Sequence, residues 1–170
     1  DRPGTAVLEI AASKLSEEVV NWSATPQLLP CSGPPRPVPS KRTVGVVRDL
    51  LRDAARPLLW VGAGAAGAAD SVQRLAELLG SGVVTSIQGK GTISDRHPLS
   101  LGSAELRFAP LNSWVETCDV VLAVGTTSSS MPKGATCIRI DIAAEGVAGD
   151  LYLCGDAREM LESIIAELED

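Results

Sequence analysis

The sequence predicts an α/β fold in which a mainly parallel sheet lies between two helical layers, a three-layer doubly wound arrangement. Short apolar runs alternate with helical patterns from residue 43 to residue 170, as in parallel strands joined by right-handed crossovers. Hydrophobic residues make up 45% of the chain but aromatic residues only 3%. The interior is therefore built from Val, Leu, Ile and Ala, which is typical of a buried parallel sheet.

The first 40 residues predict a separate unit. Residues 5–10 form a strand-like apolar segment, and residues 13–20 have the pattern of a polar helix. Residues 25–40 then contain six prolines, which exclude both helix and sheet interior and predict an extended linker. We expect a domain boundary near Ser40, with the main core in residues 41–170.

The elements of the main core follow in order. Apolar residues recur at helical spacing from residue 43 to residue 54, and a strand follows at residues 58–61. The next helical pattern ends at Gly80, a typical C-cap, before a strand at residues 82–86 and a turn-rich loop at residues 88–98. The remaining predictions are a short helix at 111–117, strands at 119–125, 137–142 and 150–154, and a last helix that Asp156 caps.

A glycine loop, Gly62–Gly67, connects the first strand of this core to the helix after it. The pattern G-x-G-x-x-G in this position is typical of Rossmann-like folds, where backbone N–H groups bind a pyrophosphate. No acid follows the second strand to bind a ribose, and Asp70 would repel a phosphate. Two interpretations stay open, a dinucleotide site and a tight turn that packs closely without a ligand.

Composition excludes several other kinds of function. A net charge of −6 and a pI near 4.8 argue against nucleic acid as a partner. No apolar stretch approaches the ~20 residues that span a membrane, and no secretion signal is evident, so we expect a cytoplasmic protein without a membrane partner. The four cysteines are scattered and His97 is the single histidine, which disfavours both a zinc site and a Cys–His nucleophile.

Four segments in order resemble the central domain of thiamine diphosphate-dependent enzymes of the acetolactate synthase, pyruvate oxidase and decarboxylase type. They are Arg56-Pro-Leu-Leu-Trp-Val-Gly-Ala-Gly64, Gly82-Val-Val-Thr-Ser-Ile-Gln-Gly-Lys-Gly91, His97-Pro-Leu-Ser-Leu-Gly102, and Asp119-Val-Val-Leu-Ala-Val-Gly-Thr126 leading to Ile138-Arg-Ile-Asp141. The resemblance implies the NAD/FAD-binding fold of DHS type. It also implies that residues 1–24 end a pyrimidine-binding domain, that 25–40 are the linker, and that 41–170 are the central nucleotide-binding-like domain.

The resemblance implies a largely architectural role in carboligation or decarboxylation of 2-oxo acids. In the family, thiamine diphosphate and Mg²⁺ are bound by the flanking domains, and this chain has no Gly-Asp-Gly motif. We therefore expect a fragment that does not catalyse the reaction alone. Its partners would be the flanking domains of the parent chain, within a homodimer or homotetramer.

Some central domains of the family bind FAD or ADP at the carboxyl ends of the strands. Carried over by position, the candidate binding residues are Gly62, Gly64, Gly89, Lys90, Gly125, Thr126 and Asp141. Thr127 stands where flavin-binding members have an arginine, and Ala143 where many have a second acid, so a flavin is disfavoured. Lys90, between two glycines, is more typical of a solvated turn than of a phosphate ligand, and Asp141 is likewise more typical of a cap on the next element.

Two further classes of protein fit parts of the pattern. A free-standing module that binds an adenine nucleotide would use the same glycine loop together with Gly125, Thr126 and Asp141. A sirtuin-like deacylase shares the nucleotide fold, but that family needs a catalytic histidine and usually four zinc-binding cysteines. His97 lies in a turn before Pro98 and the cysteines are isolated, which argues against this class.

Overall fold

The structure, a computed structural model, describes residues 7, 9, 10, 13, 39–103, 108–128, 131–142 and 149–170. The chain divides into two compact units, Asp1–Pro35 and Arg36–Asp170. The strand, helix and linker predicted within residues 1–38 lie almost wholly outside the described residues. All elements described below belong to the second unit.

Six parallel strands form one sheet in the order β3-β2-β1-β4-β5-β6. The sheet grows outward in both directions from β1 and β4, so these two strands mark the point where the chain direction across the sheet reverses. In such sheets, ligands bind outside the carboxyl ends of the strands at this switch point. The strands are β1 Pro57–Val61, β2 Gly82–Thr85, β3 Ser100–Ser103, β4 Val120–Val124, β5 Thr136–Asp141 and β6 Leu151–Cys154.

Capping residues in the sequence explain three ends of the described helices. They are α1 Lys41–Asp53, α2 Ala69–Leu79, α3 Ala109–Val115 and α4 Ala157–Glu169, with a 3-10 helix at Ala63–Ala68. The Ser40 side chain accepts a hydrogen bond from the Thr43 N–H at the start of α1, and Asp156 caps α4 as predicted. Gly80 ends α2 in the left-handed conformation, with φ 61°.

Helices cover both faces of the sheet, which confirms the predicted three-layer α/β fold. On one face α1, α2 and α4 pack on alternate residues of the central strands, including Leu59, Leu122 and Ile138. On the opposite face, Leu111 and Val115 of α3 pack against Leu58, Trp60, Val84 and Val121. The strands are apolar on both sides because both sides are buried.

Two features of the architecture differ from the expected alternation. The edge strand β3 was not predicted, since its sequence Ser-Leu-Gly-Ser is half-buried and shows no apolar run. Its pairing with β2 also shifts register between Val83 and Thr85. In addition, the described residues between β4 and β5, and those between β5 and β6, form no helix.

Asp119 joins the start of β4 to the turn before β1. Its carboxylate accepts hydrogen bonds from the backbone N–H groups of Ala55 at 2.7 Å and Arg56 at 2.9 Å. Partial burial acts to raise the pKa of Asp119, but these bonds and those from its own N–H and the Val120 N–H lower it below its usual value. The folded protein therefore favours the charged carboxylate of Asp119.

We expect Asp119→Asn to reduce stability at neutral pH by about 1–2 kcal/mol, because an amide offers one acceptor oxygen in place of two. A lowered folded-state pKa stabilises the protein above the unfolded pKa, about 4, and this contribution is lost as pH falls through the folded value. In urea unfolding between about pH 2.5 and 7, the free energy of unfolding of this variant should fall less steeply toward acid pH than that of the unmodified protein. Asp95→Asn, in an exposed ion pair with Lys90, is the control, and equal curves for both variants would refute the role of Asp119.

Candidate functional site

The loops that follow β1, β2 and β4 meet at the carboxyl ends of the strands. The Gly62 N–H donates to the Val124 carbonyl at 2.9 Å, and the Gly64 N–H donates to the Gly125 carbonyl at 3.0 Å. On the other side of β1, the Ser86 N–H donates to the Val61 carbonyl at 2.8 Å. Backbone hydrogen bonds thus connect the three loops directly at the switch point.

Glycine is required in these loops because their backbones touch. A methyl group placed on Gly64 would lie 2.8 Å from the Gly125 Cα, and one on Gly89 would lie 2.5 Å from the Val61 carbonyl oxygen. A methyl group on Gly62 would collide with the Gly125 carbonyl oxygen and lie 2.7 Å from Thr126. We call this set of backbone contacts between Gly62, Gly64, Gly89, Gly125 and Thr126 the three-loop contact.

The buried side chain of Arg139 binds the loop that follows β4. Arg139 lies on β5 and is only 2% exposed. Its guanidinium donates hydrogen bonds to the Thr126 carbonyl at 3.1 Å and to the Ser128 carbonyl at 2.7 Å. A planar cation with several donors suits two neighbouring carbonyls. Sequence reasoning did not single out this residue, although a charged residue within the apolar run Cys137-Ile-Arg-Ile was a signal for it.

The glycine loop itself is held at its far end by α4. The Arg158 guanidinium donates to the Gly67 carbonyl, with Nε at 2.9 Å. Between Gly62 and the first residue of α2, Ala69, the chain forms the 3-10 helix, in which the Ala65 N–H donates to the Gly62 carbonyl at 3.1 Å. The N-terminus of α2 is therefore separated from Gly62 by a 3-10 segment that contains Gly64 and Gly67.

The structure brings five of the seven predicted binding residues into the three-loop contact. Lys90 follows Gly89, but its side chain is 57% exposed and pairs with Asp95, with Nζ and Oδ2 3.0 Å apart. Asp141 ends β5, where its carbonyl accepts the Gly155 N–H at 2.9 Å. Thr127 is exposed, and Ala143 lies outside the described residues. A nucleotide-binding role for these seven residues remains a prediction.

His97 and Cys118 occupy structural positions. The His97 Nδ1 accepts the Leu99 N–H at 3.2 Å, so the neutral ring carries its proton on Nε2, 3.0 Å from Glu77 Oε1. That hydrogen bond is the main cause that lowers the pKa of Glu77. Burial, followed by the nearby charge of Asp119, raises the pKa of the Cys118 thiol to about 11, which disfavours the reactive thiolate.

The described part of the chain contains neither a candidate metal site nor a candidate membrane-spanning helix. In residues 39–103, 108–128, 131–142 and 149–170, no three His, Cys, Asp or Glu side chains are grouped so that they could hold a metal ion. None of the helices in these ranges combines the length and the apolar character needed to cross a membrane.

The match to a known family agrees with this fold and its glycine loops. The family described as "Thiamine pyrophosphate enzyme, central domain" matches residues 44–164, which is most of the chain. The chain therefore belongs to this family of central domains of thiamine diphosphate-dependent enzymes, as the resemblance in the sequence indicated.

Individual relatives are enzymes of the same class. The chain is 32% identical to a probable 2-ketoarginine decarboxylase, AruI, of Pseudomonas aeruginosa, over 99% of this chain and 31% of the relative. It is 32% identical to a probable acetolactate synthase large subunit of Methanococcus aeolicus, over 78% of this chain and 27% of the relative. The chain thus spans less than a third of the length of these curated relatives.

A solved structure shows the same architecture. The X-ray structure of a putative thiamin diphosphate-dependent enzyme from Mycobacterium smegmatis matches with a TM-score of 0.65 and 25% identity. The match covers 79% of this chain and 29% of that chain. Both the fold and the family are thereby supported by independent comparisons of sequence and structure.

Proposed function

We propose that this chain is the architectural central part of an enzyme that uses thiamine diphosphate to decarboxylate or join 2-oxo acids. The family match over residues 44–164 carries the proposal. The relatives named as 2-ketoarginine decarboxylase and acetolactate synthase support the 2-oxo acid class of substrate. Flanking domains of the parent chain would bind the cofactor and Mg²⁺.

The domain plan and assembly follow from the same proposal. Residues 1–24 would end the preceding pyrimidine-binding domain, residues 25–40 would be its linker, and residues 41–170 would be the central domain. The parent enzyme would be a cytoplasmic homodimer or homotetramer. The role of the central domain is then to hold the flanking domains in place.

Exposed apolar side chains support a role in contact with other domains. Ile87 follows β2 and is 62% exposed, and Ile142 follows β5 and is 46% exposed. Phe108, at the start of α3, is also 62% exposed. Ile87 and Ile142 both lie at the carboxyl end of the sheet, and a contiguous apolar patch there would mark a contact surface. Covering them with flanking domains would remove apolar area from water.

The proposal is tested with the full gene product that contains this chain. The purified protein is assayed with pyruvate and with 2-oxo-5-guanidinovalerate, in the presence of Mg²⁺ and with or without thiamine diphosphate. We expect consumption of at least one 2-oxo acid that depends on added thiamine diphosphate. Saturable cofactor binding without any turnover of 2-oxo acids would refute the substrate class, and absence of cofactor binding would refute the whole assignment.

A second candidate function is a module that binds FAD, ADP or another adenine nucleotide. The position of Gly62, Gly64, Gly125 and Thr126 at the switch point between β1 and β4 favours it, because nucleotides occupy that position in related folds. The hydrogen bonds of the same glycines weigh against it, since two of their N–H groups already have carbonyl partners.

A further inference from the structure

Three N–H groups of the glycine loop, those of Gly62, Gly64 and Ala65, are already used within the protein. Phosphate binding at a glycine loop depends on backbone N–H groups that point toward the ligand. Here the Gly62 and Gly64 N–H groups donate to the carbonyls of Val124 and Gly125, and the Ala65 N–H donates to the Gly62 carbonyl. Binding a pyrophosphate at these groups would require breaking contacts that connect β1 to β4.

The space between the loops is also filled. Gly62 and Gly89 are buried and Thr126 is 7% exposed, whereas Gly64 is exposed and Gly125 is half-buried. A single methyl group on Gly64 or Gly89 would already come within 2.8 Å or less of backbone atoms in a neighbouring loop. Because a phosphate group is larger than a methyl group, it does not fit between Gly62, Gly89 and Thr126 without moving these loops.

The loops are held in this arrangement from two sides. Arg139 binds the carbonyls of Thr126 and Ser128 from within the protein, and Arg158 binds the Gly67 carbonyl from α4. The nearest acid in α2, Asp70, lies in its first turn and adds a negative charge there, which opposes an anionic ligand.

We infer that the glycines of the three-loop contact serve to close the switch point between β1 and β4, and that this domain takes no dinucleotide there. The pattern G-x-G-x-x-G is then required by close approach of backbones, with Gly62 and Gly64 as the contacting positions. Gly67 has no such role, since a methyl group on it would meet nothing within 4 Å.

The test combines ligand titration with a pair of variants in the full 170-residue chain. Calorimetric titration with FAD, ADP and NAD to about 1 mM should give no saturable binding, which corresponds to a Kd weaker than about 1 mM. Gly64→Ala should lower Tm by about 3–10 °C through overpacking, and Gly67→Ala should leave it within about 1–2 °C. If Gly64→Ala fails to fold while Gly67→Ala folds, that result also supports the inference.

Two results would overturn the inference. Saturable binding of any of the three nucleotides to the unmodified chain would show that the switch point accepts a ligand. Equal Tm values for Gly64→Ala and Gly67→Ala would show that the backbone contact contributes nothing. Neither readout involves thiamine diphosphate, so the outcome is separable from that of the proposed function.

Discussion

Replacing Gly125 with alanine is expected to destabilise the protein by about 2–5 kcal/mol. Gly125 adopts a φ of 57°, a left-handed conformation that costs an L-residue about 1–2 kcal/mol. A methyl group there would also lie 2.5 Å from the Gly64 Cα and carbonyl carbon and 2.6 Å from the Ala65 nitrogen. Because all of these are backbone atoms, relief requires separating the loops, which adds about 1–3 kcal/mol.

Gly80→Ala is a matched control for this variant. Gly80 has a φ of 61°, but a methyl group on it would meet nothing within 4 Å. The control should therefore lose only the conformational cost of about 1–2 kcal/mol. Urea unfolding, followed by circular dichroism, gives both free energies of unfolding. If Gly125→Ala proves no more destabilising than Gly80→Ala, close contact between the loops is not a source of stability.

The Arg139→Met variant is expected to lose about 2–4 kcal/mol of stability. The substitution keeps an unbranched apolar stem but leaves the Thr126 and Ser128 carbonyls without the guanidinium, and each buried acceptor left unsatisfied costs about 1–3 kcal/mol. Removing the desolvated charge offsets part of this loss. Hydrogen exchange should accelerate at the Gly64 N–H, whose acceptor is the Gly125 carbonyl.

Arg74→Met supplies the comparison for an exposed arginine. Arg74 pairs with Glu169 at 2.7 Å, and its side chain is 62% exposed. Exposed ion pairs contribute about 0–1 kcal/mol, so this variant should change stability little and leave exchange at Gly64 unaltered. Similar losses in the two variants would contradict a special role for the buried guanidinium of Arg139.

The sequence predicted the fold because its strongest signals were local. The buried strand at residues 120–124 and the helix capped by Asp156 both combine an apolar pattern with clear end signals. By contrast, β3 is a four-residue edge strand that is stabilised by pairing with β2 rather than by its own composition. Its sequence therefore carries little information about its conformation.

The contacts at the candidate site could not be predicted from local sequence patterns. The pattern at Gly62–Gly67 identified a tight strand-to-helix connection, but it did not indicate which loop the glycines contact. That contact depends on the switch between β1 and β4, which brings Gly125 beside Gly64 although 60 residues separate them in sequence. For the same reason, the role of Arg139 follows only from its position under the loop after β4.

The proposal that the flanking domains, and not this chain, bind the cofactor is tested most directly by calorimetric titration of thiamine diphosphate with Mg²⁺. The 170-residue chain and the full gene product that contains it are titrated side by side. If the chain is the architectural central domain, it should show no saturable binding, while the full gene product should bind the cofactor with a Kd in the range of about 1–100 µM. Saturable binding to the 170-residue chain alone would contradict the proposal.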